Sequence, residues 1–492
     1  MRSGAFEHLR GVKCRFGDRA RRLDVLPGVL PDVLAFSRHA VVGIALCFIL
    51  LSSACAVRLP EVPTAAARPA VFGSKARQDG LNGLAAGDER QRLLARHVAG
   101  TEAATAATLS AGNDARLLID GPQTQQAMLE AVRAARHRID FETYIIEPGE
   151  IGDRLGALLV ARAAQGVSIR LIYDSLGSLA TPATYFDHLT AAGITVCAFN
   201  PLVARESDQR LSINNRDHRK ILIVDGKLAM TGGINISDVY SSGSFSRRAR
   251  KLVRQRAATE KLKSGWRDTH VVVRGPVVAQ FSRLFEETWR NQQCPGALPV
   301  GQRAIPAPAG TMAMQLSATD PATERSDTYL ALLSAIGRAQ RRVWLTYGYF
   351  VPDPAILGAL EKAARRGVDV RLILPGFSDF WATFHAGRAN YDELLRSGIR
   401  IFERRDALLH AKTAVIDGVW STVGSTNLDW RSFAHNYEAN LLILDASFAG
   451  QMERLFALDE SASHEIVPSE WKKRDLSDRL LEWLARRMEY LL

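Results

Sequence analysis

His218, Lys220 and Asp225 stand in the order His-x-Lys-x4-Asp, and His410, Lys412 and Asp417 repeat it. Gly232, Gly233 and Asn235 follow the first histidine by 14, 15 and 17 residues; Gly424, Ser425 and Asn427 follow the second at the same spacings. At ordinary residue frequencies the His-Lys-Asp triplet alone arises by chance at roughly one position in ten thousand, so a second copy with the same tail is a duplication. Each copy offers an imidazole, an ammonium and an amide. Two imidazoles facing each other across an anionic phosphodiester can divide the work of nucleophile and acid/base. Lys220, Lys412, Asn235 and Asn427 would hold the non-bridging oxygens and offset the charge that repels a nucleophile. One neutral histidine would attack phosphorus and become a phosphohistidine. The other, protonated, would donate to the departing alcohol and then take a proton from the incoming water or alcohol. Two lysines supply the positive charge, so neither a metal nor another cofactor is expected.

A carboxylate behind each histidine would fix its tautomer and support its charged form. Glu438, 28 residues after His410, is the expected partner in the second half. Asp268, in Trp266-Arg267-Asp268-Thr269-His270, is the expected partner in the first. Asp225-Gly226 and Asp417-Gly418 look like hairpin turns, so both aspartates are read as turn or supporting residues, with Gly233 and Ser425 packing beside the site. His270, His385 and His435 are read as structural or surface residues. Tyr144 and the stretch Tyr347-Gly348-Tyr349-Phe350, at strand ends, would line the acyl entrance of the site or pack in the core.

The elements that must position these groups also come in two sets. In the first half, a helical pattern over Ala127–Arg138 precedes a strand at Ile139–Ile146, a helix at Ile151–Gln165 and a buried strand at Val167–Tyr173. The same order returns at Tyr329–Arg341, Arg342–Val351, Pro354–Arg366 and Val368–Leu374. Strand and helix alternate, which implies α/β lobes, each a mixed sheet flanked by helices. A repeat of this length is a duplicated domain. Two such lobes packed about a pseudo-twofold axis would bring both His-x-Lys segments to their interface. Each segment reads as a strand, with histidine and lysine, two apart, on one face. The division expected is 1–58 for a basic N-terminus with an apolar segment, 59–112 for an Ala/Pro-rich linker with one short helix near Glu89–Val98, 113–300 and 310–470 for the two lobes, and 471–492 for an amphipathic helix.

On these residues the chain resembles the phospholipase D superfamily, named for its His-Lys-Asp motif. Leu409-His410-Ala411-Lys412, Gly424-Ser425-Thr426-Asn427-Leu428-Asp429 and Asn436-Tyr437-Glu438-Ala439-Asn440 look like the bacterial cardiolipin synthases of that superfamily. Gly232-Gly233-Ile234-Asn235 and the Trp266–His270 stretch do too. The resemblance covers about residues 113–470. It implies a phosphatidyl transfer in which one phosphatidylglycerol gives its phosphatidyl group to a histidine and a second accepts it, forming cardiolipin and glycerol. The substrate implied is an anionic phospholipid and not nucleic acid, and one chain holds both motifs, so a monomer suffices. A phospholipase D hydrolase releasing phosphatidic acid would share every one of these residues. A phosphodiesterase acting on nucleic acid is the reading that charge alone would allow.

Charge and the N-terminus bear on that choice. The formal net charge is +11 over 492 residues, which favours anionic partners of either kind. Ala40–Val57 is an 18-residue run without a charge, long enough for a marginal membrane span. It ends in Leu51-Ser52-Ser53-Ala54-Cys55, which resembles a bacterial lipoprotein cleavage site with Cys55 as the lipidated residue. Lipoprotein signal or single anchor, the segment would hold the enzyme at the bacterial inner membrane, facing the periplasm. The stretch between Asn235 and Trp266 is rich in arginine and lysine and is expected at the rim of the site. Only Cys197 and Cys294 lie beyond the N-terminal segment, so no disulfide framework is expected.

Overall fold

The computed structural model describes residues 87–105, 108–201, 214–244, 265–296, 298, 304–323 and 325–492. The apolar run, Cys55 and most of the basic stretch, 245–264, lie outside the described residues. No helix among the described residues is long and apolar enough to cross a membrane.

The first lobe contains β1 (Ser110–Ile119), β2 (Arg138–Thr143), β3 (Ser168–Asp174), β4 (Thr195–Phe199), β5 (Lys220–Val224), β6 (Leu228–Gly232) and β7 (Thr269–Arg274). The second contains β8 (Met312–Asp320), β9 (Arg342–Tyr347), β10 (Asp369–Pro375), β11 (Arg400–Arg404), β12 (Lys412–Ile416), β13 (Trp420–Gly424) and β14 (Asn436–Leu444). The first sheet runs β1-β7-β6-β5-β2-β3-β4, antiparallel as far as β2 and parallel beyond it. The second runs β8-β14-β13-β12-β9-β10-β11 with the same change of direction at β9. Each of the seven strands named in the first lobe thus has its counterpart seven strands on, and the second sheet adds Ser463–Glu465 beside β11. The two sheets meet edge to edge where β1 pairs antiparallel with β8.

The residues explain why the lobes stick together. In β5, Ile221 and Ile223 face a core shared by both lobes, with Val415 of β12 and Leu441 and Ile443 of β14. Leu222 and Val224 face the helices of their own lobe. A strand buried on both faces is continuously apolar, as this one is. The helices Asp120–Ala134, Glu150–Ala163, Asp327–Arg338 and Pro354–Arg365 fall within a few residues of the expected ones, apart from the start of the first. That one begins seven residues early because Gly121 and Pro122 occupy its first turn, where a missing N–H costs nothing and where a Cβ on Gly121 would strike the Tyr240 carbonyl.

Two expectations need correction. Residues 89–104 are not linker: helix Glu89–Ala104 buries Val98, with Leu94 packed beside it, against the second lobe. His97 Nε2 lies 2.9 Å from Asp417 Oδ2, and Trp420 Nε1 donates to Thr101 Oγ1 at 3.2 Å. The cysteines of the body are also not independent: Cys197 and Cys294 form a disulfide across 97 residues of chain. The C-terminal amphipathic helix is present as Leu476–Arg486.

Candidate active site

Each motif histidine sits in a two-residue break between strands rather than inside one. Arg216–Asp217 is a short strand that pairs in parallel with Asn436–Tyr437 of the other lobe, and His218 N–H donates to the Tyr437 carbonyl at 2.9 Å. The chain then enters β5 at Lys220. Leu408–Leu409 pairs in the same way with Trp266–Arg267 of the first lobe, and His410 N–H donates to the Arg267 carbonyl at 2.8 Å. Each histidine is therefore strapped to the strand that carries the opposite lobe's carboxylate.

This overturns the expected pairing of acids and bases. Glu438 does not serve His410: both its oxygens lie 3.1 Å from Nδ1 of His218. Asp268 does not serve His218: its Oδ2 lies 2.8 Å from Nδ1 of His410. The physical reason is the pair of two-residue strands, which place residue 438 beside residue 218 and residue 268 beside residue 410. Buried ion pairs fix one of these straps, with Arg267 donating twice to Asp459 at 2.7 Å and Arg404 sharing the same carboxylate. Gly233 permits the approach of Asp268, since a Cβ there would lie 2.3 Å from Oδ1. Ser425, its counterpart, accepts from the Ala439 N–H at 3.0 Å and holds the strand before Asn440.

Lys220 Nζ donates to the His218 carbonyl at 2.6 Å and lies 5.1 Å from the Tyr144 ring centroid. Lys412 Nζ donates to the His410 carbonyl and lies 5.7 Å from the Tyr349 ring. The Tyr144 and His218 rings meet edge to face with centroids 4.9 Å apart, and the Tyr349 and His410 rings do so at 6.0 Å. Both tyrosines thus belong to the site. Asn235 accepts from Ile145 N–H and donates to the Tyr240 hydroxyl at 3.2 Å, and that hydroxyl stands 3.4 Å from His410 Nδ1. The Oδ1 of Asn427 is buried with no hydrogen-bond partner, so this acceptor is uncommitted.

Burial dominates the electrostatics. It pushes Lys220 down to about 7, against the pull of Glu438 and with the help of Lys412. It pushes Lys412 down to about 8, against Asp268 and Glu438. His218 is lowered by burial, opposed by Glu438. His410 is held well below the usual imidazole range by burial and Lys412, and it also feels the charge of His218. Burial raises Asp268 to about 6 although Lys412 and the Thr269 N–H pull it down. Without an anion, the site disfavours its own positive charges, which is the state a phosphodiester would relieve.

Asp225 and Asp417 lie away from this chemistry. Both adopt positive φ at the hairpins that follow β5 and β12. Asp225 accepts from the backbone N–H groups of Arg136, His137 and Arg138, at 2.7 to 2.9 Å. Asp417 does the same for Gln340, Arg341 and Arg342. Each carboxylate ties a hairpin to the turn between the preceding helix and strand. Burial alone would raise both acids, but the backbone donors at Asp225, and His97 followed by the backbone donors at Asp417, hold them below the ordinary range.

Sequence reasoning missed Tyr240, Trp266, whose ring lies 5.1 Å from that of His410, and Asp379, which accepts from the Tyr349 hydroxyl at 2.6 Å. It also missed His97 as a partner of Asp417. None has a local pattern that marks it. His270 is buried in β7 opposite Gly232, and neither ring nitrogen is bonded.

A family model described as cardiolipin synthase, PLD-like domain, matches residues 128–244 and again 332–459. Cardiolipin synthase A of Pseudomonas putida (strain W619) is 36% identical over 385 residues, 78% of this chain and 76% of the relative. Cardiolipin synthase of Alkalihalophilus pseudofirmus is 30% identical over 388 residues, 78% of this chain and 73% of the relative. Among solved structures, phosphatidylserine synthase of Haemophilus influenzae Rd KW20 superposes with a TM-score of 0.57 over 77% of this chain and 95% of its own, at 12% identity.

Proposed function

Since this chain belongs to the family of cardiolipin synthases with phospholipase D-like domains, we propose that it moves a phosphatidyl group from one phosphatidylglycerol to the headgroup hydroxyl of a second, giving cardiolipin and free glycerol. The observation that carries the reading is the crossed pair: two buried imidazoles, each held at Nδ1 by a carboxylate of the other lobe, so that both Nε2 atoms are left for the reaction. One Nε2 attacks phosphorus, and the glycerol oxygen leaves with the proton of the other imidazole. That imidazole then takes the proton of the second phosphatidylglycerol hydroxyl as its oxygen attacks phosphorus, and the first histidine departs. Lys220, Lys412 and the Asn235 and Asn427 amides hold the phosphoryl oxygens while charge develops there. One chain carries both halves, so a monomer is sufficient, and the substrate is anionic lipid and not nucleic acid.

The test is a lipid assay with labelled phosphatidylglycerol in mixed micelles, with chelator present. Cardiolipin and glycerol are expected in equal amounts. Phosphatidic acid without cardiolipin would replace the transferase by a hydrolase, and cleavage of plasmid DNA under the same conditions would remove the lipid reading.

The lysines give a pH signature. A lysine held below its ordinary value is charged below its folded pKa and neutral above it. Lys220 at about 7 and Lys412 at about 8 therefore lose their grip on the phosphodiester as pH rises through that window. kcat/KM, which reports free enzyme, is expected to fall across roughly pH 7–8. kcat is expected to fall later, because the bound anion raises both lysines. A kcat/KM profile that stays flat to about pH 9 would remove the lysines from phosphate binding.

We place the catalytic body at the inner membrane, facing the periplasm. The apolar run before Cys55 supports this, and so does the disulfide, since such bonds persist in oxidising compartments. Cys197 and Cys294 in protein recovered from cells are expected to resist alkylation until reduced. Closing 97 residues of chain, their bond is expected to contribute about 2–5 kcal/mol, read as a lower thermal midpoint under reductant. Two freely alkylated thiols would count against the placement.

A further inference from the structure

The C-terminal helix Leu476–Arg486 is amphipathic the wrong way round for a helix that only packs on its own protein. Its inner face carries Ala485, and Met488 and Leu492 beyond it pack with Val351, Ala382 and Ala386. Buried Glu482 accepts from Arg474 at 2.9 Å and lies 3.5 Å from Arg388. The outer face carries Leu476, Leu480 and Trp483, at the i, i+4, i+7 spacing of one stripe, and they are 80%, 57% and 54% exposed. The helix it packs on, Trp381–Arg388, begins with Phe380 as its cap and Trp381 as its first residue, 47% and 52% exposed. Single exposed apolar residues are ordinary, but five large ones on two helices packed together mark a surface that something covers.

Charge says what covers it. Lys472, Lys473, Arg479, Arg486 and Arg487 are exposed beside the stripe, against exposed Asp475 and half-buried Asp478 and Glu489 in the same segment. The Arg487 guanidinium lies over the Trp483 ring at 5.0 Å. Leucine and tryptophan bordered by cationic side chains suit the headgroup zone of an anionic bilayer. A second copy of the chain would bury the stripe but would set these like charges against themselves across a twofold axis.

Position says why. Asp379, next to Phe380, receives the Tyr349 hydroxyl, and the Tyr349 ring edges His410. At the other end of the segment, Leu492 carbonyl accepts from Arg431 N–H at 3.0 Å, and the Tyr490 ring lies 4.8 Å from Trp430, three residues after Asn427. The patch is therefore continuous with the walls of the site. We propose that Leu476, Leu480 and Trp483, with Phe380 and Trp381, seat in the interface of an anionic phospholipid bilayer and hold the mouth of the site at headgroup depth. The inference rests on the lipid-substrate reading above.

The test uses the full chain in phosphatidylglycerol–phosphatidylcholine vesicles with brominated acyl chains, which quench tryptophan within the bilayer. Trp483→Phe is expected to remove part of the quenchable fluorescence. Leu480→Asp is expected to slow turnover on vesicles about 10- to 100-fold, mainly through KM, and to leave turnover of monomeric dihexanoyl-phosphatidylglycerol unchanged. The proposal is overturned if Trp483→Phe leaves quenching as it was, or if Leu480→Asp leaves turnover on vesicles as it was. A dimer mass in detergent that Leu480→Asp converts to monomer would assign the stripe to a second copy, which also overturns it. A wild-type protein that makes no cardiolipin from either substrate would fail the function reading, while the quenching still decides the docking face.

Discussion

His218→Ala and His410→Ala are each expected to abolish cardiolipin formation, with turnover falling by at least ~10⁴-fold, as when a covalent nucleophile or its proton-transfer partner is removed. The two losses differ in kind. The variant that lacks the nucleophile can form no phosphohistidine. The variant that lacks the acid/base retains the nucleophile, forms the adduct slowly and then holds it, because no base activates the second alcohol. Phosphatidylglycerol labelled in the phosphatidyl group, followed by acid-labile, base-stable protein label, separates the two and names the nucleophile. Cardiolipin made at the wild-type rate by either variant would remove the two-histidine mechanism altogether. Both imidazoles are buried, with both Nδ1 atoms engaged by carboxylates.

The crossed carboxylates give the second large effect. Glu438→Gln and Asp268→Asn are each expected to lower kcat by about 10²-fold or more, the size seen when the group that fixes a histidine's tautomer is lost. The crossing itself is visible in titration. Glu438 raises the pKa of His218 against the burial that lowers it, so Glu438→Gln is expected to move the His218 imidazole lower still. The His410 imidazole touches Asp268 and meets the change through the charge of His218, so its titration is expected to move less. Nitrogen-15 histidine spectra across pH would show which ring responds. A larger response of His410 than of His218 to Glu438→Gln would restore pairing within each lobe and break the geometry described here.

Much of this was legible in the chain because it is local. The His-x-Lys-x4-Asp copies, the Asp-Gly hairpins and the alternation of helix and strand each depend on residues within a dozen positions of one another. Glu438 and Asp268 were recognisable as acids behind histidines, but their partners were not. The straps that decide it, Arg216–Asp217 on Asn436–Tyr437 and Leu408–Leu409 on Trp266–Arg267, are two residues long and carry no periodicity. Tyr240 reaches His410 across 170 residues and His97 reaches Asp417 across 320, contacts set by how the lobes close. Cys197 and Cys294 gave no spacing signal for the same reason. The helix near Glu89–Val98 was legible, but its extension to Ala104 and its docking on the second lobe were not, because an alanine-rich composition reads as tether until its buried face is seen.

The straps also set the order in which the chain becomes dangerous to its surroundings. Synthesis delivers the first lobe well before the second, and domains fold as they emerge. His218 has no carboxylate until residue 438 has been made and its neighbour Tyr437 has paired with Asp217, and Asp268 waits for a histidine that arrives 142 residues later. A nascent or truncated chain therefore holds isolated halves of two sites and a complete version of neither. Reactivity toward phosphodiesters is therefore expected only once both straps have closed, and not in either lobe alone.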